Sequence, residues 1–310
     1  MPGLLRSKIS DMTHTRYIFV FFIVAMLAGC SPMRSITIEA DAVLAAEEAF
    51  AAGEFETALA GYEALIEARR SREEEVGEAF LRKAGLSAHA VGQTGKVLEY
   101  LEPMRHDPGM GAEVFAALAN AYREVDNLSR EITSLEVLAM HYSGTSAYDA
   151  LKVRYFETLV ESHNWEQAMD LWPQIEPEAK GSESLLNGFF AVNLALGMEE
   201  EADELAKDLY LLNPDNTDAL NRLGRLHFNR AVEIHERETQ AYEQNRTHRQ
   251  YNQLLQAYEV MNRDLRTALG YFLRLYELDP TRETASFLRN IYTRFNDEER
   301  ARYYERKMQD

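Results

Sequence analysis

The chain has 310 residues, 46% of them hydrophobic, which is enough for a core in one or two domains or an elongated array and too apolar for wholesale disorder. With 33 Lys and Arg against 51 Asp and Glu, the formal charge is −18, which repels phosphate backbones and argues against nucleic acid as a partner. A single cysteine excludes an internal disulfide and a cysteine-based zinc site. The charge is uneven: residues 41–219 carry 13 basic and 35 acidic side chains, whereas residues 220–310 carry 16 and 14.

At the N-terminus, Arg6, Lys8 and Arg16 accompany a twelve-residue apolar run, Tyr17 to Ala28. That run is short of the ~20 residues of a spanning helix but suits a signal-peptide core. It ends in Leu27-Ala28-Gly29-Cys30, where small residues offer a cleavable backbone and the thiol a nucleophile. These four residues resemble the lipobox of bacterial lipoproteins. The resemblance implies diacylglyceryl transfer to Cys30, cleavage after Gly29 and acylation of the new amino terminus. Several acyl chains at ~0.8 kcal/mol per buried methylene would anchor the chain durably in a membrane. Ser31, in place of the Asp that retains enteric lipoproteins at the inner membrane, implies the outer membrane, with the protein facing the periplasm. Residues 1–29 are thus expected to be a signal peptide and 30–40 a lipidated tether.

From Ala42 onward apolar residues recur at i, i+3, i+4 and i+7, and no run alternates with period two, so helices are expected throughout. Ala58, Val97, Glu131, Ala168, Ala202, Ala268 and Ala301 mark one position of a repeat, at intervals of 39, 34, 37, 34, 66 and 33. In the clearest unit a turn glycine, Gly53, precedes Phe55, Ala58 and Tyr62. Others close on Asn213-Pro214 and Asp279-Pro280. The glycine permits a tight turn, the small residue a close helix approach, and the proline a stop. Pro103 and Pro173 are expected to interrupt the second helices of two units.

This pattern resembles the tetratricopeptide repeat. It implies an all-α solenoid, a right-handed superhelix of about seven helix–turn–helix units over residues 41–310, with a capping repeat at 281–310. Residues 225–269 contain neither Gly nor Pro. They are therefore read as part of an elongated helical hairpin, at about 217–280, that breaks near Gln244–Thr247, with arms of roughly 40 Å. Tyr251, Leu254, Leu255, Tyr258, Leu265, Ala268 and Phe272 fall near one of its faces. The tract from Leu223-Gly224 to Asp279-Pro280 is similar to a C-terminal arrangement common in tetratricopeptide proteins of the Bacteroidetes.

Chemical motifs are weak. Gly92-Gln-Thr-Gly95-Lys96 lacks the phosphate-loop spacing, and Thr239 stands where a zincin motif opened by His235-Glu236 needs its second histidine. Glu73–Glu75 and Glu199–Glu201 point in different directions on a helix and read as solvated faces. No catalytic residue, metal ligand or cofactor is expected. Trp165 and Trp172, seven residues apart, read as core rather than a glycan platform. The tetratricopeptide register implies a partner groove that includes Asn120, Arg123, Asn187, Asn221, Arg225, Phe228 and Asn229, with Arg222 beside it. Asn and Arg suit a peptide backbone or carboxylate, and Phe adds apolar area. The expected role is a non-enzymatic scaffold for envelope proteins or peptides, held at the membrane by lipidated Cys30. The competing reading is a glycan or nutrient receptor serving an outer-membrane transporter.

Overall fold

A computed structural model describes residues 32–308, among which the secondary structure is helical with no strand. Cys30 and the leader lie outside the described residues. Among the described residues fourteen α-helices pair in chain order into seven hairpins: α1 (Pro32–Ala52) with α2 (Phe55–Ser71), α3 (Glu78–Ala90) with α4 (Thr94–Leu101), α5 (Ala112–Glu124) with α6 (Leu128–Tyr142), α7 (Ser146–Glu161) with α8 (Trp165–Ala179), α9 (Glu183–Ala195) with α10 (Glu199–Leu212), α11 (Thr217–Gln244) with α12 (His248–Leu278), and α13 (Arg282–Arg294) with α14 (Glu298–Lys307). The chain divides into two compact units, Met1–Asp149 and Ala150–Asp310, and the boundary falls within α7. The first helix starts at Pro32, inside the stretch read as a tether. Proline is preorganised for a helix's first turn, and Glu39 ties α1 to Arg69 at 3.0 Å and Arg72 at 2.8 Å on α2.

Six of the seven hairpins share one turn. A left-handed residue ends the first helix: Gly53, Gly92, Asp126, His163, Gly197 or Asn296, with φ between 54° and 76°. In each, its own N–H donates to the carbonyl three residues back at 3.1 Å, and the next N–H to the carbonyl five back at 2.9 Å. This is the Schellman arrangement, which satisfies the last carbonyls of a helix. Five residues after the left-handed residue comes the repeat marker, Ala58, Val97, Glu131, Ala168, Ala202 or Ala301, of which the first five are 0–1% exposed. The marker is thus the first position of the second helix to point at its partner.

Glu131 breaks the size rule without breaking the register. Its carboxylate, 1% exposed, lies 3.7 Å from the Arg123 guanidinium at the end of α5. Pro103 follows the end of α4 and sits in a 3₁₀ turn, Glu102–Met104, as expected. Pro173 does not interrupt its helix: α8 runs through both Pro173 and Pro177. The two prolines face solvent, where water can reach the carbonyls they leave without donors. Leu171, Trp172, Ile175 and Ala179 stay buried and hold the helix in place.

The elongated hairpin is present. Its arms, at 28 and 31 residues, span about 42 and 46 Å at ~1.5 Å per residue. Near its base Gly224 lets α11 close on Phe272, whose ring would lie 2.8 Å from a Cβ placed there.

Candidate functional site

In the second unit, α11 and α13 present a mixed polar and aromatic surface. Asn221 and Arg225, four residues apart, share one face of α11, and the Arg225 Nε donates to the Asn221 side-chain oxygen at 3.0 Å. The other end of the guanidinium pairs with Glu283 on α13, and its carbon lies 5.0 Å above the Phe287 ring. Phe287 meets Phe228 edge-on at 5.2 Å, and Arg294 covers Phe228 at 5.8 Å. Beneath them Phe287 stacks on fully buried Phe272 at 4.5 Å, which fixes the ring. Two guanidinium groups and two partly exposed phenyl rings therefore occupy one patch, held from below by the core. With Arg225 held by Asn221 and Glu283, the patch offers the Arg294 guanidinium to carboxylates and flat apolar area to side chains.

The remaining groove candidates have other surroundings. Arg222 turns back to α10, with Asp203 at 2.5 Å and both the carbonyl and the carboxylate of Glu199 at 3.1 and 2.6 Å, so it braces neighbouring hairpins. Asn187 accepts from the Asn216 amide at 3.1 Å. The amides of Asn216 and Asn213 also reach Glu183 at 2.7 and 2.8 Å and hold its carboxyl below the usual range. Asn229 is exposed on α11. In the first unit Asn120 is half-buried on α5, and Arg123 pairs with Glu131. Asn221, Arg225 and Phe228 thus come together on one surface of the second unit, while Arg222 and Asn187 join networks that hold hairpins to one another.

Glu283, Phe287 and Arg294 are the residues that sequence reasoning missed. They lie on one side of an amphipathic helix at i, i+4 and i+11, but nothing in the sequence says that this side meets α11. Trp172 is core, 8% exposed and stacked on Phe189 at 3.8 Å, while half-buried Trp165 lies 5.0 Å from His163. Among the described residues no group of three His, Cys, Asp or Glu side chains is arranged to hold a metal ion, and no helix is long and apolar enough to cross a membrane.

No family model and no curated protein matches the chain. Among solved structures it is similar to a tetratricopeptide repeat protein of Parabacteroides merdae, at 12% identity and a TM-score of 0.38 over 87% of this chain and 92% of that one. It is also similar to one of Bacteroides fragilis, at 16% identity and 0.31, over 82% and 98%. MamA of AMB-1 matches at 19% identity and 0.39, over 65% and 91%. With scores of this size, the assignment of the fold rests on the hairpins themselves: all-α helix–turn–helix units that follow one another in the chain within each compact unit.

Proposed function

We propose that this chain is a non-enzymatic scaffold of the bacterial cell envelope, anchored through lipidated Cys30 at the periplasmic face of the outer membrane, whose helical repeats hold partner proteins. The observation that carries the reading is the Arg225–Phe287–Phe228–Arg294 surface. It is cationic and aromatic in a molecule of net charge −18, and it is held rigid by the core beneath it. Preorganised side chains of this type form interface hot spots because little conformational freedom is lost when a partner covers them. An acidic or carboxylate-terminated peptide segment is the ligand chemistry that fits.

Two experiments test the two halves of this reading. Photo-crosslinking from position 228 in cells is expected to trap an envelope protein and to lose it in Arg225→Ala. Absence of any reproducible adduct would overturn the scaffold role at this surface. Metabolic labelling with a fatty-acid analogue is expected to mark the wild-type chain and not Cys30→Ala; equal labelling of both, or of neither, would overturn the anchor.

A further inference from the structure

The elongated hairpin has two unlike halves. The buried core that α11 and α12 share with α13 ends at Ala231 and Leu265. Across residues 232–263, beyond that point, only Ile234 and Leu254 are buried. The outer half ends in a connection unlike those of the other six hairpins. It consists of Asn245, Arg246 and Thr247, all exposed, and none of them takes the left-handed backbone that closes the regular turns. Just behind it the Tyr242–Tyr251 ring pair, at 5.8 Å, holds the two arms together.

These three residues read Asn-x-Thr, the acceptor pattern for an N-linked sugar. A carboxamide nitrogen is a poor nucleophile, so a transferase must hold the acceptor in a fixed pose, and the hydroxyl at the third position is a grip that helps to fix it. Both groups must therefore be exposed and must lie together. Here the Thr247 N–H donates to the Asn245 carbonyl at 2.8 Å, a three-residue turn that draws the first and third residues towards each other. Among the described residues no group binds the Asn245 carboxamide. The Thr247 hydroxyl oxygen accepts from the Gln250 N–H at 3.2 Å, which leaves its own proton free to donate. Glu243, exposed two residues ahead, adds a carboxylate that a cationic site can grip.

Asn127-Leu128-Ser129 carries the same pattern and supplies a contrast within the molecule. Its first residue caps α6, with the side-chain oxygen accepting from the Arg130 N–H at 3.3 Å, and the other two lie in the helix. Residues two apart on a helix do not face each other, so carboxamide and hydroxyl are held apart there. Two residues ahead stands Val125, without a charge.

We propose that Asn245 is a glycosylation site, to which an envelope transferase attaches an oligosaccharide from a lipid-pyrophosphate donor. The site depends on the proposed export of the chain, because the acceptor must meet that donor outside the cytoplasm. The Asn245 carboxamide nitrogen attacks the anomeric carbon of the first sugar. A C–N bond forms as the C–O bond to pyrophosphate breaks, the lipid pyrophosphate leaves with the bonding electrons, and one nitrogen proton passes to a base of the transferase. Asn245 lies fourteen residues beyond Ala231, about 20 Å along the arm at ~1.5 Å per residue, so the sugar clears the Arg225–Phe228 surface. It would instead solvate the tip, where Tyr251 and Leu255 are 45% and 44% exposed.

Mass spectrometry of the chymotryptic peptide 243–251, from the full chain recovered from its own cell envelope, tests this, with fatty-acid labelling of Cys30 read on the same sample. A saccharide mass on Asn245 is expected in the wild type, lost in Asn245→Gln and Thr247→Ala, kept in Thr247→Ser and unaffected by Asn127→Gln. Helicity is expected to stay constant across the series. A chain labelled on Cys30 that yields only the unmodified peptide, or a saccharide that persists in Asn245→Gln, would overturn the proposal and leave the anchor standing. An unlabelled chain with sugar on Asn245 would overturn the anchor and keep the site, and an unlabelled, unmodified chain would overturn both.

Discussion

The inner and outer halves of the long hairpin are made of the same two helices and are held by different means. In the inner half Leu220, Leu223, Gly224, Ala268, Phe272 and Leu275 are buried, and α11 and α12 share a core with α10 and α13. In the outer half the arms meet each other through the Tyr242–Tyr251 and His235–Tyr258 ring pairs, and among residues 232–263 the buried apolar side chains are Ile234 and Leu254. Helical pattern alone gives both halves the same secondary structure. Only the number of layers packed against them separates a structural element from a projecting arm.

The largest effect that would sharpen this contrast is Phe272→Ala. The ring is fully buried and stacks on Phe287, so its loss is expected to cost the second unit about 3–5 kcal/mol in denaturant unfolding. Gly224→Val should cost about 1–3 kcal/mol, because its side chain must displace a buried ring that cannot rotate away. Leu254→Ala, in the outer arm, is expected to cost about 1 kcal/mol, below the ~2–5 kcal/mol of a full core site, since it lies beyond the shared core and the arm can close around the gap. Equal losses for Phe272→Ala and Leu254→Ala would erase the distinction. Smaller still, His163→Gly at a left-handed turn of the regular hairpins should raise the melting temperature slightly, by about 0.5–1 kcal/mol of relieved strain, and Asn296→Gly by less, because Asn tolerates that conformation better.

The hairpin array was legible because its signals are local. The marker from Ala58 to Ala301 is fixed by helix period and close approach, and the missing Gly and Pro of residues 225–269 announce the long arms. The turns were less legible. Gly53, Gly92 and Gly197 are recognisable, whereas Asp126, His163 and Asn296 adopt the same left-handed backbone and satisfy the same carbonyls without being glycine. Backbone hydrogen bonding and packing there outweigh residue preference. Glu131 at a small-residue position reads as a broken register until Arg123 is seen beside it. Pro173 reads as a helix end until the burial of Trp172 and Ile175 on the opposite face is known. The candidate surface was half legible: Asn221, Arg225 and Phe228 follow from register, but their partners on α13 are set by the approach of two helices separated by more than fifty residues.

Hydrogen exchange followed along α11 and α12 in dilute solution tests the central claim most directly. The account predicts slow, near-global protection for amides at 220–231 and 265–275 and much faster exchange across 236–260. Uniform slow protection along both arms would contradict it.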